Sequence, residues 1–422
     1  METYVLIALI LVVTTGASLF NLRVLRLPES VGLMATALVA SLALLLFGLI
    51  FPDIVQPICD RVAGFDFSFI VLDLLLGFLI FAGAFSSDTA AMARERWPIL
   101  LFATAGILIS TFFVGGAMWF ILGALDISIP FLHCLLFGAL ISPTDPIAVL
   151  AILKTTAVPR SLRADISGES LLNDGVAVVV FLSLFQLAGG EGHSHVETFG
   201  AWEVTTLFSR EVIGGLALGF AGAFIAKRAL KISRIDTTDI LVTLTMVMAV
   251  YGAAWLFQVS GPLAIVVVGI TLRGTLREST VNVSERRHVE IFWKSIDHIL
   301  NAVLFTLMGF ILINLATNFT PIYLVAGLIA IPVVLAARLF CLGTSIPFTQ
   351  LRCGNIKTTL SLLTWGGLRG GISIALALSL QPEMSRELIV VMTYVVVVFS
   401  ILVQGLTISP LVRKLGITDS SQ

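Results

Sequence analysis

Residues 131–153 read FLHCLLFGALISPTDPIAVLAIL, an apolar stretch long enough to cross a bilayer, with Ser142-Pro143-Thr144-Asp145-Pro146 at its centre. Both prolines lack an N–H, and each disfavours helix in the residue before it. The helix must therefore open near mid-depth and leave several carbonyls without intrahelical donors. Irregular backbone at that depth is tolerated only where it lines a cavity or lies buried in protein. A kinked structural helix would account for the prolines alone, but not for a carboxylate, Asp145, at the break. The stretch predicts a discontinuous transmembrane helix with an ion site at its gap.

The surrounding chain agrees with a membrane setting. It has 422 residues, 58% of them hydrophobic and only 12% charged, with a mean hydropathy of +1.04. A soluble domain carries about 25% charged residues, so this chain has too little polar surface to face water all round. Thirteen apolar runs can be marked out between residues 4 and 411. At about 20 residues each they leave no room for a separate soluble domain. The first run has no basic segment ahead of it and no small-residue cleavage site, so it reads as a retained helix. A net charge of −1 gives no basis for a nucleic-acid partner. The four cysteines, Cys59, Cys134, Cys341 and Cys353, form no CxxC pair, which argues against a disulfide framework or a zinc site. No GxxxxGK[ST] and no HExxH occurs, so neither ATP-driven chemistry nor a cofactor is expected.

Lysine and arginine are retained on the cytoplasmic side of a membrane. Twenty of the 25 basic residues fall in the odd-numbered connections and the carboxyl-terminal tail, while the even-numbered connections carry only Arg61, Arg210 and Arg386. The amino terminus is therefore expected outside and the carboxyl terminus in the cytoplasm, in a plasma or inner membrane. The two remaining arginines, Arg338 and Arg369, lie inside apolar runs, as do the acids Asp73, Asp145, Glu169 and Asp174. Each such charge costs at least about 2.5 kcal/mol on the most lenient insertion scale, so the set is expected to be functional.

The twelfth run contains Trp365-Gly366-Gly367-Leu368-Arg369-Gly370-Gly371, a second interrupted stretch with a charge in it, seven runs after the first. An odd displacement makes the two runs cross the membrane in opposite senses. This is the sign of an inverted repeat whose broken helices meet near the midplane, with Asp145 and Arg369 offsetting the dipole ends there. The sixth run opens with Gly168-Glu169-Ser170-Leu171-Leu172-Asn173-Asp174-Gly175. At 3.6 residues per turn Ser170 and Asp174 share a face, about 40° apart, whereas Glu169 points about 140° away. Asp174, Ser170, Asn173, Asp145 and the Thr144 carbonyl can form an oxygen cage suited to a hard monovalent cation, with Na+ at Asp145 and Asp174. Glu169 then needs another partner, and Arg338 in the eleventh run is the candidate, because either charge left unpaired at low dielectric costs several kcal/mol.

These strings also carry a resemblance. SPTDPIAVL from Ser142, GESLLNDGVAVV from Gly168 and GGLRGG from Gly366 are similar to those of NhaP-type sodium/proton antiporters of the monovalent cation:proton antiporter family. The resemblance implies an all-α, thirteen-helix homodimer in the lipid bilayer. Helices 1–3 (residues 1–93) and 8–10 (235–317) form a dimerisation scaffold, and the external loop and helix 7 (191–234) link the halves. Helices 4–6 (94–190) and 11–13 with the tail (318–422) form a moving core. It further implies Na+ or Li+ exchange for H+ at the positions matched by Asp145 and Asp174, near Ser170, Asn173 and Thr144, and a Glu169–Arg338 bridge. The Asn173-Asp174 pair offers one titratable carboxylate where a double-Asp pair offers two, and the family associates it with electroneutral exchange. Proton and cation then compete for Asp174, and a bare buried carboxylate blocks the empty move. One departure stands out: where many relatives carry an acid in the third helix, this chain reads Phe81-Ala82-Gly83-Ala84, and Asp73 is no obvious replacement.

Weaker features point elsewhere. Gly215 and Gly219 form a GxxxG, more often internal packing than a dimer contact. His193 and His195 read as solvated loop residues, and Asn318-Phe319-Thr320 matters only in a glycosylating host. Of the competing functions, K+/H+ exchange shares every feature above. An intramembrane aspartyl hydrolase could use Asp145 and Asp174 as a dyad, but the Tyr-Asp and Gly-x-Gly-Asp contexts of that class are absent. A cation channel is disfavoured by charges too few to form a ring.

Overall fold

The computed structural model describes residues 2–53, 55–56, 67–87, 89–94, 96–145, 160–189, 201–233, 235–278, 283–317, 320–345 and 356–415. The fold is all-helical, with no strand among the described residues. The helices, in chain order, are α1 (Glu2–Phe20), α2 (Glu29–Gly48), α3 (Leu76–Ser86), α4 (Thr89–Arg94), α5 (Arg96–Ala124) and α6 (Phe131–Ile141). Then come α7 (Arg160–Leu187), α8 (Ala201–Ile232), α9 (Asp236–Phe257), α10 (Gly261–Glu278), α11 (Val283–Thr317) and α12 (Pro321–Ser345). The series ends with α13 (Ile356–Trp365), α14 (Gly371–Leu378), α15 (Arg386–Val398) and α16 (Gly405–Lys414). Wider π-helical turns lead into α3 (Phe69–Leu75) and join α15 to α16 (Phe399–Gln404).

Ten of the described helical segments are long and apolar enough to cross a membrane, and Phe131–Ile141 and Gly261–Gly274 are shorter apolar helices. The chain is thus a multi-pass membrane protein. Proline sets where several helices begin: Pro130 precedes α6 and Pro321 opens α12, positions where the missing N–H has no intrahelical role. Gln258, in the left-handed region at φ 51°, ends α9 and lets the chain turn at once into α10.

The buried apolar side chains fall into two large groups. One joins α5, α6, the carboxyl-terminal part of α7, α11, α12, α14 and α15 through residues such as Phe137, Phe181, Met308 and Ile389. The other joins α3, α8, α9 and α10 around Trp293, whose indole donates to Thr243 Oγ1 at 3.0 Å. Helix α7 belongs to both, with Leu171 in the second group and Ala177 in the first. The Gly168–Asp174 segment therefore lies where the two packed bodies meet. Gly215 and Gly219 face α10 of the same chain, where an added Cβ would lie 2.7 Å from the Ser260 carbonyl and 2.6 Å from that of Ala264. The GxxxG is used for internal packing, at a separation only glycine allows.

Candidate functional site

Helix α6 stops at Ile141, capped by the Ser142 N–H on the Ala139 carbonyl at 3.4 Å, and Pro143–Asp145 continue outside the helix, as the two prolines dictate. Pro146 and the rest of that run lie outside the described residues. The twelfth run is broken at 366–370, between α13 and α14, with Gly370 extended at φ −122°, ψ −167°.

The two breaks touch through their main chains. The Asp145 N–H donates to the Leu368 carbonyl at 2.7 Å. The Arg369 guanidinium donates to the carbonyls of Ser142 and, at 2.9 Å, Pro143. Arg369, only 2% exposed, thus places its charge at the carbonyl end of α6, where the helix dipole is negative. Asp145 lies at the amide end of α14: a Cβ built on Gly370 would sit 2.6 Å from its Oδ2. Each break carries the charge that compensates the other's half-helix, and the missing side chain of Gly370 lets the carboxylate approach.

From α7, Ser170 and Thr144 share a hydroxyl–hydroxyl hydrogen bond of 3.0 Å, and Asn173 Nδ2 donates to Thr144 Oγ1 at 2.9 Å. All three residues are buried, whereas Asp145 and Asp174 are half-buried. The Asn173 Oδ1 has no hydrogen-bond partner among the described residues. The arrangement therefore offers two partly open carboxylates backed by a closed polar wall. Thr144 engages its neighbours through its hydroxyl, and the carbonyls loosened by the break, those of Ser142 and Pro143, are taken by Arg369.

On the opposite side of α7, Arg338 donates through both Nη atoms to Glu169, the Nη2–Oε2 contact being 3.0 Å. The two side chains are 11% and 6% exposed, so the pair is nearly dry. Ala82 is fully buried in an apolar cluster with Phe81, Phe85 and Leu171. Asp73 lies on the exposed side of the π-helical turn before α3, a full element away from α7. No group of three or more His, Cys, Asp or Glu able to hold a metal ion occurs among the described residues. Cys134 and Cys341 are buried and form no disulfide among the described residues; Cys59, Cys353, His193, His195, Asn318 and Phe319 lie outside the described residues.

Two site residues escaped the sequence reading. Ser400 Oγ accepts from the Arg369 N–H at 2.9 Å, and Gln404 Nε2 donates to the Trp365 carbonyl at 2.9 Å. Both are buried, and both stand in the π-helical turn Phe399–Gln404. Two polar residues four apart in an otherwise apolar run put donors and acceptors on one face, and that spacing was the available signal.

These observations define a polytopic helical membrane protein in which two interrupted helices meet beside a pair of carboxylates. The chain belongs to the sodium/hydrogen exchanger family: the family model described as "Sodium/hydrogen exchanger, transmembrane" matches residues 7–414. This is a family of transporters, not of enzymes. It is 41% identical to the Na+/H+ antiporter NhaP of Pseudomonas aeruginosa, over 97% of this chain and 96% of that one. It is 30% identical to the Na+/H+ antiporter NhaH of Halobacillus dabanensis, over 89% of this chain and 92% of that one. Its fold is similar to the solved structure of the sodium/proton antiporter MjNhaP1 of Methanocaldococcus jannaschii. That match has a TM-score of 0.66 at 15% identity and covers 92% of this chain and 98% of that one.

Proposed function

We propose that the chain is a secondary-active antiporter that exchanges Na+, or Li+, for H+ through competition of cation and proton for Asp174. The observation that carries this reading is the pair of half-buried carboxylates, Asp145 and Asp174, set against the closed Thr144–Ser170–Asn173 wall. A carboxylate moved through a dry interior without a counter-charge is penalised by several kcal/mol, so the unloaded site resists the change of access. Loaded with a proton on one side and a monovalent cation on the other, it is neutral and the move is permitted. Coupling follows without any further energy source.

In this reading Asp174 titrates and Asp145 shares the cation. The Asn173 Oδ1, which lacks a partner among the described residues, supplies a neutral oxygen, with Ser170 and Thr144 holding the geometry. Glu169 and Arg338 hold the core together, and Arg369 compensates the crossing. The core comprises residues 94–190 and 318–422, moving against a scaffold of 1–93 and 235–317 through which two copies pair in the lipid bilayer. The amino terminus is outside and the carboxyl terminus cytoplasmic. With a single carboxylate in the Asn173-Asp174 pair, exchange is one-for-one and electroneutral.

Vesicles containing the purified chain and an internal pH dye test the assignment. Na+ or Li+ pulses should collapse an imposed proton gradient, and Asp174→Asn should reduce the response to background. A variant that still exchanges at the normal rate refutes the role of Asp174. Running K+ beside Na+ and Li+ at several pH values separates Na+/H+ from K+/H+ exchange.

A further inference from the structure

A small cavity lies beside the crossing. Its walls are α12, the break between α13 and α14, and α15 with its π-helical turn. The space open to the centre of a water molecule is about 10 Å³. Most of the lining is apolar, including Ile331, Val334, Val396 and Phe399, but Arg338, Thr364 and Arg369 line it as well. Each of these three has a buried polar atom with no hydrogen-bond partner among the described residues: Arg338 Nε, Thr364 Oγ1 and Arg369 Nε. The Arg338 Nε is approached there by the bare α-carbon of Gly367, on which a Cβ would sit 3.1 Å away.

Unpaired buried polar groups are rare in native proteins, and three around one small cavity share a common explanation. We infer that this cavity is a binding site for a single water molecule, which accepts hydrogen bonds from Arg338 Nε and Arg369 Nε and donates one to Thr364 Oγ1. The site has room for one water, which needs about 10–15 Å³ and two to four polar partners. A water has two lone pairs for two N–H donors and a proton for the hydroxyl, so the chemistry balances. A small anion is the other species two guanidinium groups could hold, and the charges argue against it. Arg338 is already matched by Glu169, Arg369 already faces the Ser142 and Pro143 carbonyls, and the rest of the lining adds no cation, being apolar apart from the neutral amide of Gln404. The water ties the ion-paired arginine of α12 to the arginine at the break of the twelfth run, which no direct bond between the two does among the described residues.

The inference is independent of the transport reading, because the readout is a position in density and not a flux. The experiment is a structure of the full chain in lipid nanodiscs at a resolution that shows ordered water, determined in sodium chloride, in sodium bromide, and for Thr364→Val. The expected result is one peak within about 2.7–3.2 Å of both Nε atoms. It should have equal height in the two salts and be lost or displaced in Thr364→Val, which keeps the side-chain shape and removes the hydroxyl. Absence of the peak in the natural protein, a peak beside only one arginine, or a peak unmoved in Thr364→Val overturns the shared site. A peak that strengthens in bromide overturns the choice of water.

Discussion

Removing one member of the Glu169–Arg338 pair should cost the protein more than removing both. Arg338 reaches Glu169 with both Nη atoms, and the side chains are only 11% and 6% exposed, so solvent screens the pair very little. Arg338→Met leaves Glu169 as a buried carboxylate with its main cation gone, and Glu169→Leu leaves the reverse. Each single change is expected to destabilise by about 3–5 kcal/mol. With an unfolding entropy of about 2.1 cal/mol/K per residue, a chain of 422 residues loses roughly 3–6 °C in melting temperature. A helical membrane protein keeps much of its helix on unfolding in detergent, so its entropy change is smaller and the shift larger. Glu169→Leu combined with Arg338→Met removes both charges together and should recover most of the loss, since a hydrophobic pair of similar volume often equals a buried ion pair. The assay is thermal unfolding of the four purified proteins in one detergent, followed by intrinsic fluorescence and by loss of the monodisperse peak. Single variants melting within 1 °C of the natural protein, or a double variant no better than the singles, would refute the reasoning.

Three further outcomes follow from the same geometry. Gly370→Ala brings a methyl group to 2.6 Å from Asp145 Oδ2, so the crossing must shift. Overpacking of this kind costs about 1–3 kcal/mol, and vesicle assays should show slower exchange at unchanged helical content by circular dichroism. Gly219→Ala sets a methyl 2.6 Å from the Ala264 carbonyl and should lower the melting temperature without altering the oligomeric state measured by light scattering, because that face packs within the chain. Lastly, a potassium-diffusion potential of either sign imposed on vesicles should leave net Na+ uptake unchanged. Potential-driven accumulation would require a second charge to move with the cation.

The parts of this protein legible in the sequence are those that hydrocarbon makes expensive. Two prolines around Asp145 were expected to end the helix ahead of them, and α6 stops at Ile141. A carboxylate at 169, turned away from 174 by helix geometry, needed a cation from another helix, and Arg338 in the eleventh run supplies it. Hydroxyl and amide groups were harder to read, because they are cheap enough in an apolar run to have many uses. The Thr144 hydroxyl bonds Ser170 and Asn173 of α7, while Arg369 takes the carbonyls of Ser142 and Pro143. Ser400 and Gln404 gave a weaker signal still. Their role depends on a π-helical turn that aligns them with the break, and nothing in the apolar pattern announces that turn.

The crossing is stitched mainly by peptide groups: the Asp145 amide to the Leu368 carbonyl, and the carbonyls of Ser142 and Pro143 to one side chain, Arg369. Such a knot depends on the close approach that Gly370 allows and, beyond that, on how many residues stand at each break. Inserting or deleting a single residue at 142–145 or 366–370 throws all three bonds out of step at once. Loop grafting and domain exchange in this protein should therefore be planned around those two segments as fixed-length units.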